Sequence, residues 1–127
     1  MKLFGLLISA VLAWTSLHGA AFEKEAVSRT TKVTLSADKP LVVGNNTVTL
    51  TLTQKGKALN DAQVVVKAFM PAMPGMPYME SKVNASSLGE GVYRAALNFS
   101  MGGTWQLHIF VTPKEGKKVR IKTSINL

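Results

Sequence analysis

The chain has 127 residues, no cysteine, and fifteen lysines and arginines against seven acids, for a formal charge of +8. The missing cysteine excludes both disulfides and thiolate metal sites, so the fold must be held by packing around one modest core. A second domain does not fit this length.

Lys2 followed by the apolar run Leu3 to Trp14 has the charged start and h-region length of a secretory signal peptide. The run is too short to span as a membrane anchor. Gly19, Ala20 and Ala21 supply the cleavage site, after Ala20 or, better matching the small-residue pattern, after Ala21. An uncleaved anchor is the competing reading, since Trp14 and Leu17 prolong the apolar character. Residues 1–21 therefore read as signal peptide, and the mature chain as periplasmic or secreted, with no stable membrane span after cleavage. Cleavage after Leu17 would present His18 as an N-terminal Cu(II) ligand, but signal peptidase disfavours that site. The cations are spread along the chain, with one denser patch at Lys114, Lys117, Lys118, Arg120 and Lys122. In an exported protein this reads as a solvated face, and no nucleic-acid partner is expected.

Residues 22–30 mix charge and small side chains without a period and read as a loose leader. From Thr31 the chain alternates with period two: Val33 and Leu35 oppose Lys32 and Thr34, as a half-buried strand requires. Pro40 and Gly44-Asn45-Asn46 punctuate a turn region. Thr47 to Thr53, with Val48, Leu50 and Leu52 between four threonines, is the cleanest strand. Lys55-Gly56-Lys57 turns the chain into Ala62 to Phe69, a nearly continuous β-branched run that reads as a covered strand.

That run delivers the chain into Met70-Pro71-Ala72-Met73-Pro74-Gly75-Met76-Pro77-Tyr78-Met79, where methionine recurs at every third position. Met70, Met73 and Met76 each precede proline and are pushed out of helical geometry. In polyproline II, with three residues per turn, a period of three sets every thioether on one face. Met73-Pro74-Gly75-Met76 fits a type II turn, with Pro at i+1 and Gly at i+2, which lets Met73 and Met76 converge. Thioether sulfur is a soft ligand that selects Cu(I), and it carries no proton to displace, so its affinity is insensitive to pH. The competing reading is an adaptable greasy contact surface. A proline-stiffened loop is expected at the surface.

Glu80 to Asn84 reads as a short edge strand blunted by Lys82. Val92 to Ser100 places Tyr93, Ala95, Leu97 and Phe99 on one face, and Trp105, Leu107, Ile109 and Val111 do the same after Met101-Gly102-Gly103. Val119, Ile121, Thr123 and Ile125 form the last strand. The fold class is all-β: an immunoglobulin-like antiparallel β-sandwich of six to seven strands over residues 31–127, with Trp105 as core anchor.

No Ser/His/Asp spacing, cysteine nucleophile or phosphate loop is present, so an enzyme reading lacks parts. His108 alternates with core positions and faces outward; it is either solvated or a supplementary copper nitrogen. Met101 lies in a strand connection and is either a fifth thioether meeting the loop or a hydrophobic plug.

The landmarks Pro40, Gly44-Asn45-Asn46, Gly56-Lys57, Asp61-Ala62, Met70-Pro71-Ala72-Met73, Gly91-Val92-Tyr93 and Met101-Gly102-Gly103-Thr104-Trp105 resemble those of YtkA-like domains, over roughly Lys32 to Leu127. In size and character the chain is similar to small secreted copper-resistance determinants. The resemblance implies an immunoglobulin-like exported domain for copper tolerance or delivery, although there is no histidine inside the methionine loop. The expectation is a Cu(I) site built from Met70, Met73, Met76, Met79 and Met101, with a copper efflux or copper-delivery protein as partner. The alternative is a metal-free interaction module assisting assembly of a respiratory or efflux complex.

Overall fold

The computed structural model describes residues 21–127; residues 1–20, on which the signal-peptide expectation chiefly rests, lie outside that range. The strands are β1 (Phe22–Ser28), β2 (Thr31–Ala37), β3 (Gly44–Gln54), β4 (Lys57–Ala58), β5 (Gln63–Met70), β6 (Met79–Asn84), β7 (Ser86–Gly89), β8 (Val92–Phe99), β9 (Thr104–Thr112) and β10 (Val119–Asn126). One sheet has the order β1-β2-β3-β8-β7 with β4 paired to β3, and the other the order β10-β9-β5-β6. Every pairing is antiparallel. Among the described residues no helix is long and apolar enough to cross a membrane.

This is the antiparallel β-sandwich expected from the alternation, with β1, β4 and β7 added to the seven segments read as strands. The largest correction concerns residues 22–30. Phe22–Ser28 is not a loose leader but an edge strand, paired along its whole length with β2 from Phe22↔Ala37 to Ser28↔Thr31. Its period was hidden because Lys24 takes an inward-alternating position between Phe22 and Ala26. The Lys24 ammonium crosses to the other sheet and donates to the Ser124 carbonyl of β10. An edge strand held by a backbone ladder can accept such a residue, since its stem packs while its charge finds an oxygen.

The core lies between the inner faces. Val33, Leu35, Val48, Leu50 and Leu52 meet Val66, Ala68, Leu107, Ile109 and Ile121, all fully buried or nearly so. Trp105 is the core anchor: its ring packs on Phe99 at 5.3 Å and its indole N–H donates to the Met101 carbonyl at 3.0 Å. Tyr93, also buried, ties the sandwich to the β4–β5 connection. Its hydroxyl donates to the Leu59 carbonyl at 2.8 Å and accepts from the Ala62 N–H at 3.0 Å. Both aromatics thus bury a large apolar body while their polar handles stay satisfied.

Candidate functional site

The pairing Phe69↔Gln106 sets the end of β5 beside the start of β9. The methionine segment and the Met101-Gly102-Gly103 connection therefore share one end of the sandwich. Met70 and Met79 form the last rung of the β5–β6 ladder. Pro71 and Pro77 have no N–H to offer, so the ladder lapses after that rung. It resumes in the same register as an isolated bridge, Met73 N–H to Met76 carbonyl at 2.9 Å and Met76 N–H to Met73 carbonyl at 2.8 Å. Gly75 sits at φ +81°, the left-handed value that the third residue of a type II turn requires. The turn expected from the Pro-Gly spacing is realised as a closed hairpin tip, whose backbone bridge brings Met73 and Met76 together.

The common thioether face is not. Met70 is only 3 % exposed and belongs to the core, whereas Met73 is 50 % exposed, and Met76 and Met79 are half-buried. Met70 ends the inward series Val64, Val66, Ala68, so strand alternation rather than a threefold helix sets its direction. Three residues on is an odd step, and Met73 emerges on the solvent side. The expectation that the entire loop lies at the surface is corrected for Met70.

The connection after β8 packs against this tip. The Ser100 hydroxyl donates to Met79 Sδ at 3.2 Å. Gly103 holds φ +125°, and a Cβ there would lie 3.1 Å from the Met70 methyl, so Met70 closes directly on backbone that only glycine leaves open. Met101 is half-buried and packed on the core cluster, its carbonyl fixed by Trp105. Met76, Met79 and Met101 thus fringe the core at one end, beneath the exposed Met73. Among the described residues no group of three or more His, Cys, Asp or Glu could hold a metal ion. The side chains brought to this end are those of methionines.

The YtkA-like family profile matches residues 25–110 of the chain. The chain belongs to the YtkA-like family. The match opens inside β1, the strand that escaped the periodicity argument, and closes inside β9, leaving β10 outside it. Searches of curated proteins and of solved structures gave no match.

In this YtkA-like domain His108 does not join the methionines. It pairs with Lys67 on the outer face of the four-stranded sheet, in edge contact with Phe69 at 4.9 Å. Desolvation by these neighbours lowers its pKa below the ordinary imidazole value, helped by the charges of Arg120, Lys122 and Lys67. Sequence reasoning missed the brace that fixes the return arm of the YtkA-like loop. The Tyr78 ring stacks on Phe69 at 6.1 Å and its hydroxyl donates to Glu80 at 2.8 Å. That hydrogen bond raises the Tyr78 pKa and holds the Glu80 carboxylate below its usual range. Aromatic residues at both feet of the methionine segment, Phe69 and Tyr78, were the available signal.

Proposed function

We propose that this YtkA-like protein is an exported copper-binding protein that holds Cu(I) on thioethers at the β5–β6 tip, serving copper resistance, buffering or delivery. The observation that carries the reading is the bridge that locks Met73 against Met76, with Met79 bonded to the connection bearing Met101. Met73, Met76, Met79 and Met101 are the residues that would hold the ion. Met70 sits beneath them in the core and serves first as packing. The donor set fits Cu(I), because soft sulfur without competing carboxylate or imidazole disfavours harder ions. Partial exposure of three of the four suits an ion that must be taken up and released. Export rests on the signal-peptide pattern of residues 1–21.

A metal-free interaction module is the second reading, favoured by Met73 at 50 % and Tyr78 at 48 % exposure, a greasy rim beside the turn. Titration of the mature domain with Cu(I) against a competing chelator separates the two. The combined Met73→Leu, Met76→Leu, Met79→Leu and Met101→Leu variant keeps size and apolarity but removes the soft donors, so copper binding should vanish while an apolar contact persists. Wild-type affinity should stay flat from mildly acidic to neutral pH. Binding that survives the four leucines and fades as His108 protonates would move the metal off the loop.

A further inference from the structure

The outer face of the four-stranded sheet carries a charge pattern that strand pairing penalises. The registers Lys82↔Lys67, Lys67↔His108 and His108↔Lys122 set four basic side chains in one transverse row, one from each strand. Neighbouring strands lie about 4.8 Å apart, so the row is roughly 14 Å long. Lys82 and Lys67 are like charges directly opposite one another, which destabilises a sheet. Lys67 and Lys122 flank an imidazole that resists taking up a further charge between them. The other sheet avoids the cost: the outward pairs between β2 and β3 are Lys32↔Thr53, Thr34↔Thr51 and Ser36↔Thr49, and Lys32 has Glu25 at 3.2 Å.

Little on this face neutralises the row. Of the outward positions on β5, β6, β9 and β10, Glu80 alone is acidic, and it is taken by Tyr78 and by Lys67 at 3.6 Å. An aromatic strip runs across the cations. Phe69 meets His108 at 4.9 Å and His108 meets Phe110 at 6.1 Å, while Lys67 and Lys118 lie over the Phe69 and Phe110 rings at 5.1 and 5.0 Å.

We propose that this face docks a protein partner through a carboxylate-rich extended segment, whose acids take the basic row and whose apolar side chain seats on the Phe69–His108–Phe110 strip. Charge complementarity selects the acids. Phe69, His108 and Phe110 are half-buried, with lysines laid over the two phenylalanines, which favours a protein over a lipid surface; the exposed Tyr78 stands at the end of the strip and is tied to Glu80. The strip reaches the methionine loop through Tyr78, so a seated partner would lie alongside that loop. The docking does not depend on the copper reading, and its test is run without metal.

The probe is a fluorescent glutamate-rich peptide of about eight residues with a central phenylalanine, long enough to span the row when extended. Its anisotropy is followed with the mature domain at low salt. Lys82→Gln with Lys122→Gln removes the two ends of the row and spares the Lys67 contacts. Lys32→Gln with Arg94→Gln removes equal charge from the opposite sheet. The row variant should bind roughly tenfold more weakly and the control less than about threefold. The row variant should also melt at a higher temperature, since the opposition of Lys82 to Lys67 is relieved. Equal weakening in both variants would mean net charge alone and would overturn the proposal. So would absence of peptide binding, or capture by phosphatidylglycerol vesicles of a protein that ignores the peptide. A lower melting temperature in the row variant would refute the premise that the row is a cost.

Discussion

Two methionines three residues apart should respond to truncation to very different extents. Met70→Ala removes Cγ, Sδ and Cε from a site that is 3 % exposed and bordered by Gly103, which has no side chain to fill the space. Buried Met→Ala changes cost about 2–5 kcal/mol, and the poor prospects for collapse place this one at about 3 or more. Met73→Ala removes the same atoms from a turn that is 50 % exposed. Its bridge to Met76 is made by backbone groups, which the substitution leaves in place. A surface change of that kind stays within about 0.5 kcal/mol. Urea denaturation of the mature domain reads the contrast as a shift in midpoint at constant slope. In thermal melts about 1 kcal/mol corresponds to roughly 4–8 °C for a domain of this size, so Met70→Ala should melt at least 12 °C lower, roughly, and Met73→Ala within a few degrees of wild type. Equal losses would refute the assignment of Met70 to the core and of Met73 to the solvent side.

Gly103→Ala should be destabilising on its own, through its φ of +125° and its 3.1 Å approach to the Met70 methyl, and the loss should shrink when combined with Met70→Ala; a double-mutant cycle on melting curves measures that coupling. Tyr93→Phe strips the Leu59 carbonyl and the Ala62 N–H of their partner and should cost about 1–3 kcal/mol by urea denaturation while leaving the fold intact. The folded-state pKa of His108 lies below its unfolded value, so the unfolded chain binds the proton more readily and stability should rise with pH across that interval. The stabilising contribution of neutral His108 is complete above the unfolded pKa of about 6.5 and is lost as pH falls through the lower folded value. Lys122→Gln, which removes one of the charges facing the ring from β10 while Arg120 and Lys67 remain, should raise the His108 pKa in an NMR titration.

The sequence by itself determined the layers of this protein. Alternation in Val33 to Leu35, Val48 to Leu52, Tyr93 to Phe99 and Trp105 to Val111 has a period that only a half-buried sheet satisfies, and the same arithmetic turned His108 outward. The Pro-Gly pair determined the turn at Met73 to Met76, because glycine at φ > 0 is a local requirement. Pairing partners were beyond its reach. β1 became a strand through its hairpin with β2 and through the reach of Lys24 to Ser124, a contact a hundred residues apart, and neither leaves a periodic mark along the chain. The fate of Met70 was settled in the same way. A proline-delimited segment by itself obeys a threefold period, but the register of β5 against β6 and β9 imposes a twofold one up to the last rung, and packing against Gly103 holds Met70 there. The row of Lys82, Lys67, His108 and Lys122 is likewise invisible along the chain, where its members are scattered over more than fifty positions. Only the strand order β10-β9-β5-β6 brings them side by side, because a sheet aligns residues by hydrogen-bond register and not by sequence distance.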